Sequence, residues 1–333
     1  MNHQPWSPEA ILKTSGAYWA AGALHAAVAL DLFTRIGDSR VKGRIVAGQL
    51  NAPVDAVCRL LDAVTAMGLL TKDASGYANT EASRAYLCLN SERYIGYIIR
   101  HHHHLMRSWA KLPEAILTGK PIRLPMREEA QEEREAFLMG MFNLAMQVAP
   151  RLVTVVDLSG CRKLLDLGGG PGTYAIHFCR QYPGLSATVM DLPTSRSFAE
   201  NTIRKMEMVQ RVTFAAGDYL LDDIPGHYDA VWMSHILHGE SEERCARIIE
   251  KAYHCLNPGG VAVIHEFILD DSLDRPLFPA LFSLNMLLGT EGGRAYSQGQ
   301  LTGMLATAGL VDIQRLDFCG PNESGVLRGV KPA

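Results

Sequence analysis

An apolar run that ends in four glycines, KLLDLGGGPGTYAIHF at residues 163–178, constrains this chain's fold more than any other stretch. A strand that turns directly into a helix needs bare backbone at the turn. Gly168, Gly169, Gly170 and Gly172 permit positive φ and let N–H groups approach a bound molecule closely. The Lys–Ser/Thr ending of a phosphate-gripping loop is missing, so this turn alone points only to a nucleotide-type ligand. Around it, short aliphatic or β-branched runs alternate with helical stretches: KLLDLG, SATVMDL, RVTFAAGD, YDAVWMS and GVAVIHEF. The alternation predicts a parallel sheet covered by helices on both faces.

Two acidic residues stand at predicted strand ends. Asp191, in ATVMDLP, is placed to accept hydrogen bonds from both hydroxyls of a ribose, and Asp218, in AAGDYL, to meet an adenine amino group. For either one alone, a turn or cap aspartate is the alternative. Beyond the fourth strand, SHILHGESEE sets His235 and His238 three positions apart. Ligands of open parallel sheets bind past the carboxyl ends of the strands, which puts both imidazoles near such a ligand. Glu240, Glu242 and Glu243 read as the start of a helix, where carboxylates favour the dipole. A metal ion on the two histidines is the weaker alternative.

At 333 residues the chain favours two domains, and the first half reads differently. Residues 8–36 look like one long helix of small residues that meets a partner surface. Its stretch from Gly16 to Phe33 holds His25 and Asp31 and is too weakly apolar for a membrane span. Residues 41–70 read as two short helices separated by NAP, with Leu60, Leu61, Val64 and Met67 on one apolar face. TKDASGYANT then supplies a turn between extended pieces, completing a winged helix. Residues 1–100 carry ten Lys or Arg against eight Asp or Glu, too weak a positive field for DNA reading. Pairing with protein is the better role. HHHHLMRSWAKL, from His101, continues a helical pattern, and its four histidines point in different directions. The charged, Pro-bearing segment 118–135 reads as an exposed connector before a helix over 136–157. Seven cysteines without a C-x-x-C pair fit free thiols in a reducing compartment. MNHQPWSPEA lacks a basic start and apolar run, so a cytoplasmic location is expected.

DLGGGPG, Asp191, GDYL and LHGESEE together resemble the class I S-adenosylmethionine-dependent methyltransferases. GAYWAAGALHAAVALDLF, LLDAVTAMGLL and GYANTEAS are similar to the dimerisation domain of plant caffeate-type and bacterial polyketide or carotenoid-type O-methyltransferases. The likeness spans residues 12 to 330. It implies an α/β fold: a Rossmann-like seven-stranded methyltransferase domain over 158–333, preceded by an all-α/winged-helix dimerisation domain over 1–108. A helical linker over 109–157 contributes to the acceptor pocket. It further implies a homodimer using S-adenosylmethionine, releasing S-adenosylhomocysteine and needing no metal, nucleic acid or membrane. The acceptor is a hydroxylated aromatic or polyketide-like small molecule.

By the same resemblance, Asp166, Gly168, Gly169, Gly170, Gly172, Asp191, Leu192, Asp218, Tyr219 and Ser234 hold the cofactor. His238 is the general base and Glu266, in VAVIHEF, orients it. Met141, Phe282 and Met286 contact the acceptor, with His103 and Trp109 beside them; core packing is the alternative for these apolar side chains. The chain departs from the pattern in two places. Gly239-Glu240 replaces the usual Asp-Trp after the base, and Ala295 stands where a second glutamate is usual. Two other readings stay open: a relative using bound cofactor for hydroxylation, decarboxylation or cyclisation, and a winged-helix regulator sensing S-adenosylmethionine.

Overall fold

The computed structural model describes residues 6–123 and 131–333 and divides into two compact units, Met1–Met106 and Arg107–Ala333. In the first unit, residues 8–36 form three helices rather than one: Pro8–Ser15, Tyr18–Ala29 and Leu32–Ile36. Ser7 caps the first, accepting from the Ala10 N–H, and Gly16 closes it. The second break falls at Asp31, whose φ of 53° is left-handed and cannot continue a helix. Helices Gly43–Leu50 and Val54–Ala66 then lead into an antiparallel hairpin, β1 (Leu70–Asp73) and β2 (Gly76–Asn79). Helix, turn, helix and hairpin thus follow in winged-helix order. The inward face of Val54–Ala66 is Val57, Leu61 and Val64. Leu60 is half-buried and Met67 lies at the exposed end, because the helix stops before Met67.

In the second unit, helix Leu112–Thr118 is followed by Gln131–Leu152. The expected connector over 118–135 is therefore helical from 131 onward, and its helix ends at 152 rather than 157. Residues 124–130 of that connector, and 1–5 of the chain's start, lie outside the described residues. Seven strands follow: β3 (Lys163–Leu167), β4 (Ser186–Asp191), β5 (Val212–Ala216), β6 (Tyr228–Ser234), β7 (Leu256–Phe267), β8 (Val311–Arg315) and β9 (Ser324–Val330). Their order across the sheet is β5-β4-β3-β6-β7-β9-β8. β3 to β7 pair in parallel as expected, but β9 runs antiparallel to both β7 and β8, so the sheet is mixed.

Alternation along the central strands feeds two cores. Leu164, Trp232 and Val263 face one layer with Phe178 and Leu152, while Leu165, Met233 and Ile264 face the other with Ile248 and Leu301. Both faces are buried, as βα crossovers require. Chain direction across the sheet reverses between β3 and β6, and ligands of such sheets bind beyond the strand ends at that point.

One ionisable group sits inside this core. Asp166, in β3, is 1% exposed; one carboxylate oxygen accepts from the Ala175 N–H at 3.2 Å and the other has no partner. Burial, with the neighbouring Asp191 charge adding to it, pushes its carboxyl up from 3.8 to about 7. The folded chain therefore keeps this proton where the unfolded chain has lost it. Below about pH 4 both states are protonated and nothing is lost. Between pH 4 and 7 stability falls, and above 7 the full cost of about 4 kcal/mol applies. Asp166→Asn removes the ionisation. Urea unfolding should find the variant more stable than the parent at pH 8 and equal to it at pH 4; a pH-independent difference would contradict this account.

Candidate active site

The glycine turn is closed from two sides. A Cβ on Gly169 would lie 2.5 Å from the Asp166 carboxyl carbon. Gly168 has φ +67°, and a Cβ there would meet Ile236 at 2.6 Å and the Tyr219 ring at 3.3 Å. Tyr219 thus lies over the turn from the β5 side and Ile236 from the β6 side. At the end of β4, Asp191 ties the neighbouring loops together. Its Oδ2 accepts from the Gly170 N–H at 2.8 Å, and its Oδ1 from the Leu192 N–H at 2.7 Å and the Ser195 hydroxyl at 2.8 Å. Burial raises the pKa of this carboxyl, while those hydrogen bonds oppose the rise. Asp218 lies two residues past β5 and accepts from the Leu220 N–H at 2.8 Å, an Asx turn. Both aspartates thus make the turn contacts that were the alternative reading of each. Two strand-end carboxylates flanking bare backbone, with an unpartnered buried Asp166 oxygen beneath, fit a cationic ribosyl cofactor.

Ser234, at the end of β6, turns its hydroxyl to His265 Nδ1 at 2.9 Å, and His265 Nε2 meets Ser324 Oγ at 3.1 Å. Burial keeps this imidazole neutral, its pKa well below the ordinary value. Immediately beyond, His235 takes φ +57° and Leu237–Gly239 forms a single 3₁₀ turn.

That turn is built around Glu266, which is 2% exposed at the end of β7. Its Oε1 accepts from the main-chain N–H groups of Leu237 at 3.0 Å and His238 at 3.3 Å. Its Oε2 meets His238 Nδ1 at 2.7 Å. Burial opposes ionisation, but the adjoining imidazoles and their hydrogen bonds outweigh it and hold the pKa far below the ordinary glutamate value. An ionised carboxylate only accepts, so in the neutral form of the ring His238 Nδ1 carries the hydrogen and Nε2 the lone pair. His235, His238 and Glu266 bring ligand-type atoms within 4.8 Å of one another. The 2.7 Å N···O contact is a hydrogen bond, however, because an ion bound at ~2 Å to each atom would hold them about 3 Å or more apart.

Two phenylalanines flank the His238 ring and a third packs against them. Phe282 stands edge-on at 4.8 Å and Phe267 lies nearly parallel at 6.1 Å. Phe278 packs on both, at 5.9 Å from Phe282 and 4.9 Å from Phe267. Of these the sequence reading found only Phe282. Phe267 follows Glu266 directly and Phe278 precedes Phe282 by one helical turn, so spacing alone carried both signals. Met286, one turn further along helix Leu277–Gly289, is buried. Trp109 reaches this helix through Nε1, which donates to Asn285 Oδ1 at 3.3 Å; Arg123 Nη1 donates to the same oxygen at 2.8 Å. Met141 is half-buried on helix Gln131–Leu152, and Leu192 is 39% exposed. His103 belongs to the N-terminal unit, its ring edge-on to His25 at 5.8 Å.

The acidic run divides. Ser241 caps helix Glu242–Cys255, so Glu242 and Glu243 begin a helix as expected. Glu240 does not. It precedes the cap and turns inward, its Oε1 3.5 Å from the Tyr219 hydroxyl and its Oε2 3.4 Å from Arg244 Nη1. Ala295 is buried and brings no carboxylate to His238.

Residues 118–311 match the O-methyltransferase domain and residues 12–88 the O-methyltransferase dimerisation domain. The chain is 34% identical to 3-hydroxy-5-methyl-1-naphthoate 3-O-methyltransferase of Streptomyces sahachiroi, over 97% of this chain and 95% of the relative. An O-methyltransferase family protein of Burkholderia thailandensis superposes with TM-score 0.88 at 28% identity, covering 99% of each chain. Human N-acetylserotonin methyltransferase, solved in complex with S-adenosylmethionine, superposes with TM-score 0.87 at 25% identity over 100% of both chains. The strand-end carboxylates, glycine turn and dimerisation segment therefore belong to one pattern: the chain is a member of the O-methyltransferase family and an S-adenosylmethionine-dependent methyltransferase.

Proposed function

We propose that this enzyme methylates a hydroxyl of an aromatic or polyketide-like small molecule, with His238 as general base and Glu266 as its orienter. The observation that carries the reading is the 2.7 Å contact between His238 Nδ1 and Glu266 Oε2 beside the rings of Phe267 and Phe282. A phenolic hydroxyl ionises only near pH 10, so at neutral pH it needs its proton removed as it attacks. His238 Nε2 takes that proton, and Glu266 stabilises the imidazolium that forms. Base help of this kind contributes roughly 10²- to 10⁴-fold. Holding the hydroxyl in line with the methyl donor contributes about 7–11 kcal/mol, the larger share. S-adenosylmethionine, when bound, supplies an electrophilic methyl group. Asp166, the Gly168–Gly172 turn, Asp191, Leu192, Asp218, Tyr219 and Ser234 form its cradle.

Phe267, Phe278 and Phe282 offer ring faces and edges to a flat acceptor. Met141, Met286 and Trp109 extend the apolar wall. The Streptomyces relatives support the acceptor class, since one is named for a hydroxynaphthoate and another for tetracenomycin polyketide synthesis. A further relative is named an N,N-dimethyltransferase. A neutral amine already presents a lone pair, so the buried His238–Glu266 pair favours the hydroxyl here. The dimerisation domain pairs two copies of this chain, in keeping with its weak positive charge, and no DNA role is assigned to it. Among the described residues no helix is long and apolar enough to cross a membrane, and the cysteines are free, in keeping with a cytoplasmic enzyme.

His238→Ala should lower kcat by about 10²- to 10⁴-fold while leaving S-adenosylmethionine affinity, measured by calorimetry, within about twofold. Product mass spectrometry of the parent should show one added CH₂. Turnover without that gain, or full activity of the alanine variant, would reject the mechanism. Phe282→Ala should raise the acceptor KM more than it lowers kcat; the reverse pattern in steady-state kinetics would move Phe282 out of the acceptor wall.

A further inference from the structure

The base mechanism leaves one histidine of the site unused. His235 stands on the first residue past β6 with φ +57°, a left-handed conformation that strains a side-chain-bearing residue. Its ring is held in place all the same, 4.4 Å from His265 and 4.3 Å from Phe267. Nδ1 is buried with no hydrogen-bond partner, yet lies 3.4 Å from Glu266 Oε2, the same oxygen that His238 reaches at 2.7 Å. That oxygen also lies 3.3 Å from the Phe267 N–H. A third donor can therefore engage it only at the expense of the others. The charged or titratable groups facing His235 are Glu266 and His265 from β7 and His238 from its own loop. Tyr174, on helix Thr173–Gln181, touches His265 beyond them at 5.7 Å.

We propose that His235 is a positioning residue for the base: it competes with His238 for one carboxylate oxygen and so keeps His238 unprotonated to lower pH. The inference rests on the reading of His238 as base. Two effects act in the same direction. An N–H from His235 weakens the pull of Glu266 on the His238 proton. When both rings are protonated, like charges on rings 5.8 Å apart repel. Because both rings face one carboxylate oxygen, removing His235 should be felt at His238.

The test is an NMR titration of the His238 imidazole in the full-length protein bound to S-adenosylhomocysteine, which requires no acceptor. His235→Asn keeps a residue that tolerates φ above zero, and His235→Gly serves as the second variant should Asn impair folding. In either one the His238 midpoint should rise by about 0.5–1 pH unit, with S-adenosylmethionine affinity unchanged. A midpoint that stays put would overturn the inference. So would a loss of S-adenosylmethionine affinity without a moved midpoint, which would assign His235 to the cofactor. Activity of His238→Ala, measured alongside, separates the two ideas. Retained turnover removes the base itself, whereas lost turnover with an unmoved midpoint removes only the role of His235.

Discussion

A carboxylate almost wholly withdrawn from water must either take a proton or be surrounded by donors, and Glu266 is surrounded. Two main-chain N–H groups and an imidazole point at it, and each belongs to the loop that follows β6. The loop's path is therefore set by the charge it encloses. Without that charge, the Leu237–Gly239 turn would leave buried N–H groups unmet, and His238 would have no reason to present Nε2 outward. The orientation of His238 and the local fold of this loop rest on the same set of hydrogen bonds.

The sheet supplies what the loop cannot. β6 and β7 lie side by side in parallel, with Ser234 opposite His265, so the residues after Ser234 necessarily reach the residue after His265, which is Glu266. Behind them, the neutral His265 is fixed between Ser234 and Ser324 and stacked at 5.8 Å on the buried Trp232. A neutral imidazole held at both ring nitrogens thus lies beside an ionised carboxylate and adds no competing charge. Antiparallel β9 completes this hold, since Ser324 comes from its first position. The departure from an all-parallel sheet thus has a local use.

Strands β3, β4, β6 and β7 were legible because burial on both faces makes them largely apolar runs, and edge strand β5 because Val212 to Ala216 is still rich in apolar and β-branched residues; the glycine turn was legible because only glycine tolerates its contacts. β8 was hidden for the opposite reason: an edge strand with exposed Val311, Asp312, Gln314 and Arg315 has no pattern apart from its partner. The breaks in residues 8–36 were hidden because the Asp31 conformation is set by tertiary contacts, including a 2.6 Å bridge to Arg100, and not by local propensity. Within the site, a phenylalanine reads alike whether it fills a core or lines a recess. For Phe267 and Phe278 the sequence carried only their spacing to Glu266 and Phe282, which does not tell the two cases apart. The pairing of His238 with Glu266 came from family resemblance; a separation of 28 residues carries no such information by itself.

The departures from the family pattern now have distinct physical meanings. Gly239 adds no side chain beside His238, and buried Ala295 supplies no second carboxylate, so among the described residues Glu266 is the carboxylate paired with this imidazole. Glu240 is no substitute, because its carboxylate is turned toward Tyr219 and Arg244, on the cofactor side of the loop. Burial raises its pKa while Arg244 opposes the rise. The loop therefore keeps two carboxylates apart. One is ionised and committed to the base, the other is partly screened by an arginine and committed to the wall over the glycine turn. A single carboxylate shared between two imidazoles is a more sensitive arrangement than one imidazole held by two carboxylates, since any donor that approaches Glu266 Oε2 is felt directly at His238.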